Sequence, residues 1–411
     1  MSRYNPFQYS NPVSPDDFVG RTRELRDVVG RIDNRGESTA ITGPFRCGKT
    51  SMLQYISDPK VRATLYNEPD KLIFSYLNIG ALSSECDPAQ FWGRALKPLQ
   101  ERITADDTPA SLSKAYQICH EKAFDNYELE KLFAQFKQVQ WRLVLLLDEF
   151  DALLHHPSLK DKTEFFGGLR SLASLSKGAL VVVITGNLSL SQLNQETQHF
   201  NPTGSPYFNI MDEVILGPLP EKAIDKILSQ GDKHFTENDR HFLTEIAGGH
   251  PYLLQIAASI LWDIYEYGDK EEPTKLQQRV EQELYLKVRE TLNKIWQSWS
   301  PSMQNLFTSI TLSHLEKLKV VFPKRYVDLE SIMSQMFDVK EELNELERYG
   351  FLKKDESIRG GWGVYPSVFL LFIINHKLEP EYSKKLPKKI WEELFTPKIL
   401  TNFSFLKKLG F

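Results

Sequence analysis

The sequence predicts an α/β protein: a doubly wound, parallel-sheet domain, followed by an all-helical unit and then by three helices with a β-hairpin. Three observations predict it. GPFRCGKTS (Gly43–Ser51) fits the phosphate-binding pattern G-x-x-x-x-G-K-[ST]. RLVLLLDEFD (Arg142–Asp151) is an apolar run that ends in two adjacent carboxylates, Asp148 and Glu149. Around both, short β-rich apolar runs alternate with helical stretches, the pattern of strands joined by crossover helices.

The expected strands are Ser38–Thr42, Leu72–Leu77, Leu143–Leu147, Leu180–Thr185 and Glu213–Leu216. The third and fourth have the near-continuous apolar character of strands buried on both faces of a parallel sheet. Helical stretches such as Pro88–Ile103 and Tyr127–Gln140 supply crossovers. After GPLP (Gly217–Pro220) the strand signal stops, and Glu221–Gly231, Glu237–Gly248, His250–Tyr267 and Pro273–Trp299 read as helices separated by glycine and polar breaks. From Ser300, SPSMQNLFTSI, VDLESIMSQM and DVKEELNELERYG read as helices, with FLKKDE and GWGVYPS as a hairpin joined by SIRGG. That order is a winged-helix pattern. The expected boundaries are residues 1–217, 218–299, 300–376 and a basic tail at 377–411.

Composition narrows the class. A chain of 411 residues exceeds one ordinary core, and 41% hydrophobic with 25% charged residues describes a folded, water-soluble protein. The longest apolar run, Val368–Ile374, is far below the roughly 20 residues of a membrane span. The start MSRYNPFQYSNPVSPDD has no signal-peptide pattern, and Cys47, Cys86 and Cys119 suggest neither a disulfide framework nor a metal site. A cytoplasmic location and no membrane partner are the expectation. Net charge is −4, with 17 Lys+Arg against 14 Asp+Glu from Pro301 onward and eight lysines against four glutamates after His376. That tail reads as a solvated surface or as a contact for an anionic partner.

The strand–loop–helix context makes Gly43–Ser51 a P-loop. Gly43 and Gly48 permit tight turns, and the backbone of Pro44, Phe45, Arg46, Cys47 and Ser51 helps to wrap phosphate. Lys49 reaches the β- and γ-phosphates and the Thr50 hydroxyl binds Mg²⁺. Asp148, at the end of a buried strand, faces the metal through water. Glu149 either polarises the attacking water or is a surface acid at a strand end. Asn187, or Thr185 in a slipped register, positions that water, or Asn187 simply turns the chain. Phe150 and Asp151 are expected to pack and cap the next helix. His155 and His156 read as solvent-exposed, and Cys47 as a small filler of the loop.

Four further stretches carry a resemblance. DFVGRTREL (Asp17–Leu25), GPFRCGKTSML, SPYFNIMDEVILGPL and GGHPYLLQ (Gly248–Gln255) resemble segments of the STAND class of signal-transduction ATPases, near the archaeal-type AAA-like branch and the origin-recognition ATPases. The resemblance implies a P-loop NTPase domain, a helical lid and a winged-helix domain. It places Val19, Gly20 and Arg21 beside the adenine, Pro251 against base or ribose, and His250 as a nucleotide sensor from the lid. Phe45 departs from the family's arginine, and no lid arginine follows the G-x-P segment, which favours a switch over a hexameric motor. Arg170 is a candidate for stabilising transition-state charge, or a surface residue.

The expected function is an ATP/ADP-dependent, slowly hydrolysing switch whose partners are another protein or a second copy of itself. The alternative is a DNA-associated ATPase binding through the winged helix and the lysine-rich tail. Five acids on 338–350 (Asp338, Glu341, Glu342, Glu345 and Glu347) oppose phosphate contact by that helix. A small-molecule kinase is disfavoured because Asp148 and Glu149 together suit activation of water.

Overall fold

The computed structural model describes residues 4–159, 163–198, 205–268, 272–317, 340–358 and 360–378. Strands β1 (Thr39–Thr42), β2 (Leu72–Asn78), β3 (Arg142–Asp148), β4 (Leu180–Gly186) and β5 (Asp212–Ile215) form one sheet in the order β2-β3-β4-β1-β5. Every pairing is parallel, with Leu143 beside Leu180 and Ile73 beside Leu143. This is the P-loop type of α/β fold: β1 lies inside the sheet, and β3 and β1 flank β4. All five expected strands are present, each within a residue of its expected ends.

The chain divides into two compact units. One comprises Pro12–Gly43 and Gly48–Leu216; the other comprises Met1–Asn11, Pro44–Cys47 and Gly217–Phe411. In the sheet unit, β3 and β4 are buried almost throughout, as strands covered on both faces must be. Leu143, Leu145 and Leu147 share one core with Phe91, Trp92, Phe133 and Phe136. The helix Lys49–Ser57 packs on β3. The single helix expected over 88–103 is two helices, Pro88–Ala95 and Lys97–Thr104. Pro98 explains the break, because its ring has no N–H and clashes with the carbonyl four residues back. Asp87 closes a capping box on the first of the two.

In the second unit, helices Glu221–Leu228, Glu237–Ala247, Pro251–Glu266 and Pro273–Ser298 follow the sheet sequence. The N-terminal segment joins them: Asn5 Nδ2 donates to Ser259 and Asp263, and Phe7 stacks on Phe235. Helices Pro301–Lys317 and Lys340–Arg348 precede β6 (Leu352–Lys354) and β7 (Trp362–Val364), an antiparallel hairpin with Leu352 opposite Val364. Trp299, Phe307, Phe351 and Phe369 form an aromatic cluster beneath it. The apolar run at 368–374 contains a buried helix, Val368–Ile373. The helix expected for VDLESIMSQM and the residues from 379 onward lie outside the described residues. No described helix is long and apolar enough to cross a membrane.

Candidate functional site

β1 leads into the glycine-rich loop, and the helix Lys49–Ser57 leaves it. Gly43 and Gly48 both take positive φ, 145° and 105°. A side chain is strained there, so glycine suits both positions. Arg46 also has a left-handed backbone, φ 63°. Lys49 Nζ donates to the Gly43 carbonyl at 2.7 Å and to Asn187 Oδ1 at 3.0 Å. Ser51 is buried and its hydroxyl accepts from Val13 N at 3.3 Å.

Asp148 ends β3 with 2% of its surface exposed. Its Oδ2 accepts from Thr50 Oγ1 and from Tyr76 Oη, each at 2.8 Å. Oδ1 accepts from Thr185 Oγ1 at 2.5 Å and from Glu149 N at 3.2 Å. A carboxylate taken out of water is costly unless it is bonded, and here four donors meet it. Thr185 is therefore a support for Asp148 on the neighbouring strand. Asn187, just beyond the end of β4, is the residue that meets Lys49.

Glu149 is exposed and sits at φ 53°, a left-handed conformation uncommon for a non-glycine residue. Its carboxylate lies over Gly80, where a Cβ would collide with Oε2. Asp151 corrects its expected capping role. It is half-buried, and its Oδ2 accepts from Asn187 N at 2.7 Å and Nδ2 at 3.2 Å. Burial pushes its carboxyl above the usual range against the pull of the Asn187 N–H and Lys49. Gly186 permits that approach, since a Cβ there would strike Asp151 Oδ1. Phe150 does pack, edge-on against Phe208.

The remaining predicted residues fall in three places. Val19 and Gly20 are half-buried ahead of the helix Thr22–Gly30, while Arg21 is buried and pairs with Glu24 at 3.4 Å. Pro44–Cys47 group with the helical unit. There His250 Nε2 lies 2.9 Å from the Phe45 carbonyl oxygen, the Arg46 guanidinium lies 5.2 Å from the centre of the Tyr252 ring, and Cys47 is buried. Pro251 is the first residue of Pro251–Glu266, where its missing N–H costs the helix nothing. Arg170, on the helix Thr163–Leu175, donates to the Ser205 carbonyl at 3.2 Å and not to the cluster around Asp148. His156 is buried rather than exposed, with Nε2 2.9 Å from the Ser83 carbonyl oxygen. That carbonyl offsets the cost of burying the ring.

Tyr76 was missed by sequence reasoning. It is a polar-tipped aromatic at the one exposed position of β2, which also fits an ordinary surface tyrosine. Burial, and then its bond to Asp148, pushes its hydroxyl pKa up. The signal for Asp151 was present in DEFD, yet a helix-capping aspartate has the same spacing.

Residues 117–307 match the family model of an AAA-like domain. The AAA-like resemblance is borne out. The matched stretch contains β3, Asp148 and Glu149 and runs into the helical unit. No curated protein matches the chain by sequence. It is similar in structure to the Walker-type ATPase of Pyrococcus abyssi, with 14% identity, 90% of this chain and 99% of that one covered, and a TM-score of 0.54. It is also similar to the Aeropyrum pernix ORC2 protein in its ADPNP–ADP complexes, with 13% identity, 88% and 96% covered, and a TM-score of 0.49. At such identities the first likeness speaks for a shared fold.

Proposed function

We propose that the chain is an ATP-binding and hydrolysing switch of the STAND or AAA-like type. The observation that carries this reading is the convergence of Lys49, Thr50, Asp148 and Asn187 where a glycine-framed loop enters a helix. Lys49 and the loop N–H groups hold the β- and γ-phosphates, and Asn187 holds Lys49 in place. Thr50 and Asp148 suit Mg²⁺: they are hard oxygen donors, and magnesium in nucleotide sites takes few protein ligands beside phosphate and water. That fits the described residues, which contain no cluster of three or more His, Cys, Asp or Glu that could cage a metal by themselves. The cation, when bound, neutralises phosphate charge. Glu149, exposed at the strand end, takes a proton from the attacking water. Asp151 keeps Asn187 oriented.

The switch requires contacts that differ between nucleotide states. His250 against the Phe45 carbonyl supports such a route, because a shift of Phe45 with phosphate binding is felt directly at the start of Pro251–Glu266. We read residues 218–299 as the lid and 300–376 as a winged-helix module that docks a protein partner or a second copy. Lys353 and Lys354, exposed on the hairpin, favour DNA as a second reading. A gel-shift titration against salt separates the two, since phosphate contact gives a steep salt slope.

The test is ATP turnover and nucleotide binding in wild type, Lys49→Ala and Glu149→Gln, with mass measured in solution under ADP and a slowly hydrolysed ATP analogue. Lys49→Ala should lose binding, and Glu149→Gln should bind ATP without turning it over. Normal turnover in Lys49→Ala would sink the proposal.

A further inference from the structure

Asp148 has two oxygens and about four lone-pair directions, which is the acceptor capacity of any ionised carboxylate. All four meet a donor: Oδ1 meets Thr185 Oγ1 and Glu149 N, whose hydrogen Thr185 Oγ1 shares at 3.2 Å, and Oδ2 meets Thr50 Oγ1 and Tyr76 Oη. A cation held through water needs one of these directions for the water's hydrogen. One of the four donors must therefore withdraw.

The donors differ in their freedom to do so. Glu149 N is backbone, fixed by the turn after β3. Thr185 is fully buried within β4, between β3 and β1. Thr50 lies in the first turn of Lys49–Ser57, and its hydroxyl oxygen is the one that itself faces the cation. Tyr76 is 41% exposed and stands on β2, an edge strand of the sheet. Its ring can turn toward solvent, where water replaces the bond that it gives up.

We infer that Tyr76 is a placeholder: its hydroxyl occupies the direction on Asp148 Oδ2 that a magnesium-bound water requires, and Tyr76 swings out when the cation is seated. This rests on reading the site as one for Mg·ATP. Tyr76 then acts as a positioning residue that sets how much free Mg²⁺ the site demands. It keeps Asp148 oriented and satisfied between turnovers, at the cost of weaker cation binding.

The experiment uses the full chain and a fluorescent ATP analogue, titrated with Mg²⁺ from an EDTA baseline, in wild type and Tyr76→Phe. The phenyl ring leaves the acceptor direction to water, which exchanges freely. Half-saturating Mg²⁺ should fall about tenfold in Tyr76→Phe, equivalent to about 1.4 kcal/mol, with affinity for the analogue in EDTA unchanged. A purely structural tyrosine would instead shift the EDTA affinity or the melting temperature. The second measurement needs no loss of the hydroxyl: 3-fluorotyrosine at position 76, followed by ¹⁹F NMR, should move to a solvent-exposed shift when Mg²⁺ and nucleotide are added together. An unchanged or higher Mg²⁺ requirement in Tyr76→Phe, or a fluorine signal that stays put, overturns the inference while leaving the Mg·ATP reading intact. Wild type that binds the analogue with no response to Mg²⁺ overturns both.

Discussion

The two ends of β3 each hold an ion, and the two are bonded in opposite ways. At the start, Arg142 Nε donates to the Gly178 carbonyl at 2.6 Å, and Nη1 donates to the carbonyls of Ile32 and Asp33. All these partners are backbone, so the guanidinium ties three chain segments together and has no role that needs it to let go. Burial lowers its pKa without threatening its charge. At the other end, three of the four bonds to Asp148 come from hydroxyls, which rotate and can accept as well as donate. A fastening and a working group can thus be told apart even when both are polar and partly or wholly buried. A fastening is bonded to parts that cannot move, and a working group to parts that can.

Removing each ion in turn should separate the two roles most clearly. Asp148→Asn keeps the volume, and the hydroxyls around it can turn to suit an amide. Turnover should fall by about 10²–10³-fold with little change in melting temperature. Arg142→Met strips a charged donor from three carbonyls and should cost on the order of 2–4 kcal/mol by urea unfolding. Its turnover per folded molecule should stay within about twofold. If Arg142→Met lowers specific turnover as deeply as Asp148→Asn, the division of labour along β3 is wrong.

Asp151 offers a smaller cut within the working end. Replacing it with Asn puts an amide where two donors from Asn187 now converge on one oxygen. Asn187 should lose its fixed orientation and release Lys49. We expect turnover to fall about tenfold, with nucleotide affinity reduced less than about threefold. Equal losses in Asp151→Asn and Lys49→Ala would place Asp151 in phosphate binding instead of orientation.

What the sequence made legible follows the same physics. Leu143–Leu147 could be read as a buried strand because five consecutive apolar side chains leave few other solutions. The loop at Gly43–Thr50 could be read because glycine, lysine and threonine at fixed spacing perform one job together. Tyr76 and Asp151 were not legible as site residues, since their role depends on which strand ends the fold brings together. β2 reaches β3 only by parallel pairing across an intervening crossover, and no spacing along the chain encodes a bond between residues 76 and 148. His156 failed for a related reason: a polar residue reads as exposed until the carbonyl that satisfies it, here that of Ser83, is in view. Pro98 was visible but given too little weight as a helix breaker.

A buried acid in the helical unit is held in a third way. Glu281, on Pro273–Ser298, is buried, and among the described residues no hydrogen bond reaches its carboxyl. Burial, with Glu245 adding like charge, pushes its pKa up to about 8. The unfolded chain holds that carboxyl near the usual value of about 4.3. Between those two values the folded state carries a proton that the unfolded state lacks, so stability falls as pH rises through this window and levels off above about 8. Glu281→Gln removes the titration. The variant should match wild type near pH 4.5 and gain with rising pH, by on the order of 2 kcal/mol at pH 8.5. Urea midpoints for both proteins across that range measure the gap directly. A gap that does not widen with pH would mean that Glu281 is solvated in the folded state, and the contrast between bonded and unbonded buried carboxylates would then rest on Asp148 alone.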